Sequence, residues 1–328
     1  MTKEGTKEYR GENIAEMQAW PLDKKIEHAK KRIVEFYEEQ NGKVYISFSG
    51  GKDSCVLDHL VTSIYPSVPK VFSNTTNEYI EIIRFVKSLE NLIELKPKMS
   101  FKETVKKYGF PLVSKKVARQ IHDIRNPTGN NDATIKLYLT GIKRDGTKSK
   151  DFKLARKWHS LIEAPFDITN KCCDILKKEP LARFEKETGL VPFVGTQASE
   201  SSMRRSKWIE TGCNTNDGKN TQSRPLSIWS EADVWEYIKR FNVSYSTIYD
   251  DVKDKDGKVV VKGEVRTGCA YCAFGAQFEK SDQERTNRFE RLSIRKPHQH
   301  KKMMELENNG VKFSDALSFI NIENKREI

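Results

Sequence analysis

The densest chemistry in the chain lies in six consecutive residues, Ser49-Gly50-Gly51-Lys52-Asp53-Ser54. They follow a β-branched and aromatic run, Val44-Tyr45-Ile46-Ser47-Phe48, and open the apolar-periodic segment Cys55-Val56-Leu57-Asp58-His59-Leu60-Val61. That succession predicts a buried strand, a two-glycine turn and a helix start, which together form a phosphate cradle. The glycines let backbone N–H groups face an anion, and the helix N-terminus adds partial positive charge. Lys52 would set an ammonium on the same anion, with the hydroxyls of Ser47, Ser49 and Ser54 as further contacts. Asp53 is a candidate Mg²⁺ ligand, or simply an acidic residue complementing the helix dipole. A Walker loop is excluded, because Ile46 stands where its first glycine belongs and Asp53 where it needs Ser or Thr.

Four of the six cysteines fall in two tight groups, the adjacent Cys172-Cys173 and the Cys269-x-x-Cys272 pair, leaving Cys55 and Cys213 apart. Four thiolates suit tetrahedral zinc or a [4Fe–4S] cube. Neighbouring cysteines strain to converge on one small ion, whereas a cube offers separate iron corners, so the cube is favoured. Among the other polar groups, Gly195 and Thr196 close an apolar run, and Arg204 and Arg205 follow. Arginine forks match phosphate or sulfate bidentately, and a solvated helix face is the bland alternative. Asn74 and Thr75 end the second predicted strand and are candidate nucleoside contacts. Lys115-Lys116 and Lys177-Lys178 would add positive potential near substrate or cluster.

These groups need a scaffold, and the pattern of the chain supplies one. Apolar positions from Pro21 to about Gln40 recur at helical spacing, ahead of the loop strand. Residues 68–73 predict a second strand, 78–89 a helix, 92–95 a third strand and 191–195 another. Residues 101–124 predict helix broken at Tyr108-Gly109-Phe110-Pro111, and residues 125–151 a surface excursion with a short element at 135–139. Residues 229–240 predict a helix with Ser230 as N-cap and Asp233 closing an approximate capping box. Asp256-Gly257 predicts a hairpin, and residues 295–302, with His298 and His300, a basic surface loop. Alternating strands and helices imply an α/β fold with a parallel twisted sheet, helices on both faces and ligands at the carboxyl ends of the strands. The expected division is a polar N-terminal arm over 1–22, a nucleotide-binding α/β domain over 23–240, and a helical and loop C-terminal segment over 241–328 carrying Cys269 and Cys272 and closing over the site.

Composition bounds the function. Lysine and arginine outnumber aspartate and glutamate by 12, which suits a polyanionic ligand, nucleotide or nucleic acid. No apolar run approaches the roughly 20 residues that span a bilayer, so no membrane partner is expected. With no apolar leader at the start and six cysteines, a reducing, cytoplasmic compartment is the expectation.

The loop resembles the pyrophosphate loop of the ATP pyrophosphatases and of phosphoadenosine phosphosulfate reductases. The run Cys172-Cys173-Asp174-Ile175-Leu176-Lys177-Lys178-Glu179-Pro180-Leu181, the run Gly268-Cys269-Ala270-Tyr271-Cys272-Ala273-Phe274-Gly275 and the segment from Pro225 to Trp235 are similar to segments of the same family. The resemblance implies a Rossmann-like, adenine nucleotide alpha hydrolase-like domain. It also implies a [4Fe–4S] cluster on Cys172, Cys173, Cys269 and Cys272, Mg²⁺ with ATP or with an adenylyl sulfate-type nucleotide, and a second anion-binding stretch from Gly195 to Arg205. That family often has arginine where Gln197 stands. Its implied partners are an adenine nucleotide, a nucleic acid or a sulfur- or electron-donor protein, and a second copy of the chain. One departure bears on the reaction. Assimilatory reductases carry a cysteine near the C-terminus that attacks sulfur, and this chain has none after Cys272. The first expectation is therefore ATP-dependent activation or sulfur transfer, with Lys52, Asp53 and Arg204 as catalytic residues and nucleic acid as an acceptor, as in DNA phosphorothioation. The alternatives are thiol-dependent reduction of adenylyl sulfate or phosphoadenylyl sulfate to sulfite, with Cys213 or a partner supplying the thiol, and a non-catalytic binding module.

Overall fold

Burial of apolar stripes divides the chain into two compact units, each assembled from three separate stretches. The first comprises Met1–Asn74, Tyr79–Lys96 and Pro180–Tyr249, and the second Thr75–Glu78, Pro97–Glu179 and Asp250–Ile328. The computed structural model describes residues 12–218, 220–279 and 286–323. Of the expected N-terminal arm, residues 1–11 therefore lie outside the described residues. The remainder includes a helix, Glu12–Gln18, whose Ile14 and Met17 are buried.

A six-stranded sheet organises the first unit. Its spatial order is Leu92–Leu95, Lys70–Ser73, Val44–Ser47, Val191–Val194, Gln222–Ser223 and Asn214–Thr215. All neighbours are parallel except the last pair. The fold is therefore α/β with a mostly parallel sheet. The chain builds outward one way from Val44–Ser47, then returns to build the other way from Val191–Val194. In open α/β sheets such a reversal opens a crevice at the carboxyl ends of the two strands, where ligands bind.

The three strands around the loop follow the sequence pattern, with Val44, Tyr45 and Ile46, then Val71 and Phe72, then Phe193 buried in turn. The two-residue strands at 214–215 and 222–223 carry no apolar alternation, and only pairing to their neighbours defines them. Helix Leu22–Glu39 buries Leu22, Ile26, Ala29, Ile33 and Phe36 along one stripe. Its Lys25 reaches Asp233 at 2.6 Å, with Lys25 nearly inaccessible to solvent. Asp233 also accepts from the Ser230 backbone at 2.6 Å, completing the capping box that starts helix Glu231–Phe241. One carboxylate thus starts a helix and neutralises a buried ammonium. Removing either partner would leave an uncompensated buried charge.

The second unit is mainly helical. Helices Phe101–Tyr108 and Lys115–Arg125 flank the break at Gly109, each capped by a serine, Ser100 and Ser114. The stretch 125–151 contains a full helix, Asp132–Thr140, whose Tyr138 is buried, so it is more than a surface excursion. The Asp256-Gly257 hairpin joins Val252–Lys253 to Val259–Val261 as expected. The basic surface loop at 295–302 is instead largely helix Pro297–Met304, with His300 buried. Its core gathers Phe110, Phe166, Phe289 and Phe313, with Phe110 and Phe313 centroids 5.2 Å apart. A two-residue strand, Leu112–Val113, runs parallel to Ala273–Phe274. Among the described residues no helix is long and apolar enough to cross a membrane.

Candidate functional site

Two groups of residues in the structure have the makings of a site, one in each unit. In the first, the loop leaves the buried strand Val44–Ser47 and enters helix Lys52–Thr62, with Gly51 as N-cap in extended conformation. Gly50 has φ +73°, and a Cβ there would lie 2.9 Å from methyl carbons of both Ile82 and Val86. Any side chain would be strained by the backbone and would clash with the neighbouring helix. The serines brace the turn from inside. Ser54 Oγ donates to the Gly51 carbonyl at 2.7 Å, and the Ser49 backbone N–H donates to Ser54 Oγ at 3.3 Å.

Lys52 is the first helical residue and is 2% exposed. Its ammonium lies 3.6 Å from Glu231 and 3.8 Å from Asp53, and 5.5 Å from the centre of the Tyr249 ring. Its backbone N–H donates to the Tyr249 hydroxyl at 3.0 Å. Tyr249 thus stands where the helix N-terminus presents its unpaired donors. Neither Glu231 nor Tyr249 is marked by the sequence pattern. Glu231 is simply the first residue of a capped helix, and Tyr249 precedes an acidic turn.

The second stretch meets the loop at the sheet reversal. Asp53 Oδ1 accepts from Gln197 Nε2 at 2.7 Å. A Cβ on Gly195 would come within 3.1 Å of the Asp53 carbonyl oxygen, so the absent side chain permits the approach. Gln197 is thus a neutral partner for Asp53. Thr196 is half-buried in this same turn. Arg204 pairs with Glu200, one turn back, and Arg205 is exposed. No described contact brings either arginine to the loop. Asn74 donates to Glu94 at 2.7 Å, tying the strand end to its neighbour.

The thiols outside the two cysteine groups are sealed. Burial pushes the Cys55 thiol well above its usual range, and Asp58 and Asp53 add to the effect. Cys213 is also pushed up by burial, and its sulfur accepts from the Trp208 indole N–H at 3.5 Å. This burial counts against Cys213 as the thiol that the reductase alternative would use. A protonated, enclosed thiol is a poor nucleophile.

In the second unit the remaining four cysteines come together. Cys172 and Cys173 open a helical run that widens to a π-helix over Asp174–Lys178, a form frequent at functional sites. Cys172 donates to Cys173, which favours the thiolate on Cys173 and lowers its pKa against the effect of burial, with help from Lys115 and Lys177. Cys172 is correspondingly pushed up, first by that hydrogen bond and then by burial, with Cys272 and Cys269 contributing as charged neighbours. Burial also raises Cys269, to about 11, and Cys272. Burial opposes the charge on Lys177, yet Cys269, Glu78 and Cys173 hold its pKa above the usual lysine value. Each predicted lysine pair is split. Lys115 and Lys177 face thiols, while Lys116 donates to the Asp151 carbonyl and Lys178 pairs with Asp174 at 2.6 Å.

The Cys-x-x-Cys turn is held by the short segment Thr75–Glu78. Asn77 is 2% exposed and takes the backbone N–H of Ala270 on its carbonyl at 2.7 Å and that of Tyr271 on its side chain at 2.9 Å. Thr75 Oγ1 is 3.9 Å from Cys269 Sγ, so this candidate nucleoside contact sits with the cysteines instead. Arg288 donates to the Cys272 carbonyl at 2.9 Å. Next to the turn, Val113 has φ +62°, an unusual conformation for a β-branched residue, and its carbonyl accepts from Gly275. Among the described residues, no three His, Cys, Asp or Glu side chains converge tightly enough to hold a single metal ion. The donor set fits a larger thiolate-bound group: four sulfurs from two segments, with two ammoniums to offset their charge.

A mostly parallel six-stranded sheet whose strand order reverses beside the glycine-lysine loop defines an α/β protein. The chain belongs to the phosphoadenosine phosphosulfate reductase family, whose domain model, "Phosphoadenosine phosphosulfate reductase domain", matches residues 43–152 and 132–273. It is 26% identical over 267 residues to an uncharacterised protein of Methanocaldococcus jannaschii, covering 78% of this chain and 48% of that protein. It is 24% identical over 228 residues to sulfate adenylyltransferase subunit 2 of Pseudoalteromonas translucida, covering 67% of this chain and 66% of that protein. A solved phosphoadenylyl-sulfate reductase from Candida auris, in a phosphate complex, aligns at 17% identity over 71% of this chain and 96% of its own, with a TM-score of 0.39. The chain spans 48% and 37% of the first two curated relatives it matches. Of these relatives, those with named activities are a sulfate adenylyltransferase subunit and a phosphoadenylyl-sulfate reductase.

Proposed function

We propose that this chain is an ATP-dependent enzyme of sulfur metabolism that activates its substrate at the loop of the first unit and carries a [4Fe–4S] cluster on the four cysteines of the second. The observation that carries the nucleotide reading is the loop itself. A lysine at the first turn of a helix, behind a glycine that no other residue can replace, lies at the reversal of a parallel sheet. An oxygen nucleophile attacks the α-phosphorus of ATP, the bond to the bridging oxygen breaks, and pyrophosphate leaves. Lys52 and the loop N–H groups stabilise the charge that builds on the leaving group. Asp53 would hold Mg²⁺, which supplies further charge neutralisation at the phosphates.

Cys172, Cys173, Cys269 and Cys272 would ligate the cluster, which supplies sulfur or electron chemistry when bound. Lys115 and Lys177 offset its thiolate charge, and Asn77 fixes the turn that presents Cys269 and Cys272. A nucleic acid acceptor suits the excess of 12 positive charges. Reduction of a sulfonucleotide is the second reading, supported by the family. Within these 328 residues, however, the thiols outside the quartet, Cys55 and Cys213, are both buried. That reading therefore needs a thiol from outside these residues.

Incubating anaerobically purified protein with Mg²⁺ and ATP plus acceptor, and in parallel with adenylyl sulfate plus a dithiol, separates the readings. Pyrophosphate release is expected. Sulfite without pyrophosphate would replace activation by reduction, and nucleotide binding without either product would leave a binding module.

A further inference from the structure

The second unit contains a cavity of about 180 Å³ that neither the nucleotide nor the cluster reading uses. Its wall is cationic. Lys107 and Lys171 both line it, and their ammoniums stand 5.2 and 4.9 Å from the centre of the Tyr108 ring. An aromatic ring attracts an ammonium without neutralising it. Among the described residues, no carboxylate lies within ion-pair distance of either lysine, so their N–H donors remain available.

The one acidic residue on the wall is already engaged. Asp167 faces Arg125 at 3.4 Å and accepts from Asn309 at 3.1 Å. Arg125 in turn donates to the carbonyls of Ile162 at 2.8 Å and Phe166 at 2.7 Å, and to that of Ala164, so it cross-links the wall instead of reaching for a ligand. His122 supplies a further donor. Its Nδ1 accepts from the Asn126 amide at 2.9 Å, which places the ring proton on Nε2. The cavity therefore offers two uncommitted ammoniums and an imidazole N–H, while its carboxylate is matched by a guanidinium.

We infer that this cavity is a second anion site, taking a small sulfur or phosphorus oxyanion through Lys107, Lys171 and His122. Its volume lies below the roughly 300–1,000 Å³ of pockets that enclose drug-sized ligands. That size selects a single oxyanion group over a whole nucleotide. The group arrives either as a free ion or as the phosphodiester of a strand laid across the opening. The inference does not depend on what occupies the loop or the cysteines.

Calorimetry on the Lys52→Ala protein, whose loop is disabled, isolates this cavity. Sulfate, phosphate and a short single-stranded oligonucleotide are titrated separately, and again after adding Lys107→Met or Lys171→Met. Each lysine substitution is expected to weaken the bound anion about tenfold, as loss of a charge-assisted hydrogen bond does. Visible absorbance and circular dichroism, unchanged in Lys107→Met, show that fold and cysteine site persist. Because Lys171 adjoins Cys172, Lys107→Met decides the matter if Lys171→Met disturbs them. Weakened binding of the free ions supports a free-ion site, and weakening confined to the oligonucleotide supports the same site with a phosphodiester source. Equal affinity with and without Lys107, or no binding of any of the three probes, overturns the inference.

Discussion

In the first unit one ammonium, Lys52, stands between two carboxylates; in the second, Lys115 and Lys177 stand among thiols. The difference in charge suits the two places to the different roles proposed for them. Glu231 and Asp53 hold a buried lysine, and under the proposed function an arriving phosphate would exchange with them, since Glu231 is well exposed to solvent. The lysines beside the cysteines work the other way. They offset negative charge that the protein itself supplies, as the surroundings of a thiolate-bound metal group do. The loop also relies on neighbours in sequence, from Ser49 to Ser54, while the cysteines rely on Lys115, Asn77 and Arg288 from distant segments.

Substitutions sharpen the contrast. Cys172→Ser should have the largest effect, abolishing broad absorbance near roughly 400 nm and most of the bound iron. Nucleotide affinity should be retained. Colourless wild-type protein containing zinc would remove the cluster from the comparison. Lys52→Ala should weaken ATP binding about tenfold or more by calorimetry, the scale of a charge-assisted hydrogen bond; unchanged affinity would count against the cradle.

Gly50→Ala should cost about 1–3 kcal/mol in denaturant unfolding, through positive φ and the clash with Ile82 and Val86. It should leave the visible spectrum intact. A neutral result would mean the turn has room that the geometry denies. Glu231→Gln should have the smallest effect. Removing an acidic neighbour 3.6 Å from Lys52 favours an incoming anion, so ATP should bind about two- to threefold tighter, a modest gain because solvent screens this carboxylate. Weaker binding would show that Glu231 contacts the nucleotide instead of competing with it.

Much of the scaffold could be anticipated because its signals are local. The loop strand is a β-branched run, helix Leu22–Glu39 repeats apolar residues at helical spacing, and Ser230 with Asp233 announces a helix start. The strands at 214–215 and 222–223 escaped because they are two residues long and owe their state to pairing with neighbouring strands. Helix Pro297–Met304 escaped because its cluster of Lys, His and Gln looks like a solvated loop, although Met303 and Met304 bury it. The cysteine quartet could be read from residue type and spacing. Its supports could not, since nothing marks Asn77 as the residue that pins a turn almost 200 positions away.

By itself the sequence determined the loop: glycines beside a lysine at a strand-to-helix junction constrain a backbone within six residues, whatever surrounds them. It also determined which thiols form a set and which two stand apart. Only the tertiary structure decided that Cys55 and Cys213 are sealed, that one lysine of each pair faces sulfur, and that Tyr249 and Glu231 border Lys52. It likewise decided that Lys107 and Lys171, 64 positions apart in the sequence, share one cavity. The physical reason is range. Dihedral preference acts between neighbours in the chain, whereas burial and charge compensation act between neighbours in space, and only folding makes those the same residues.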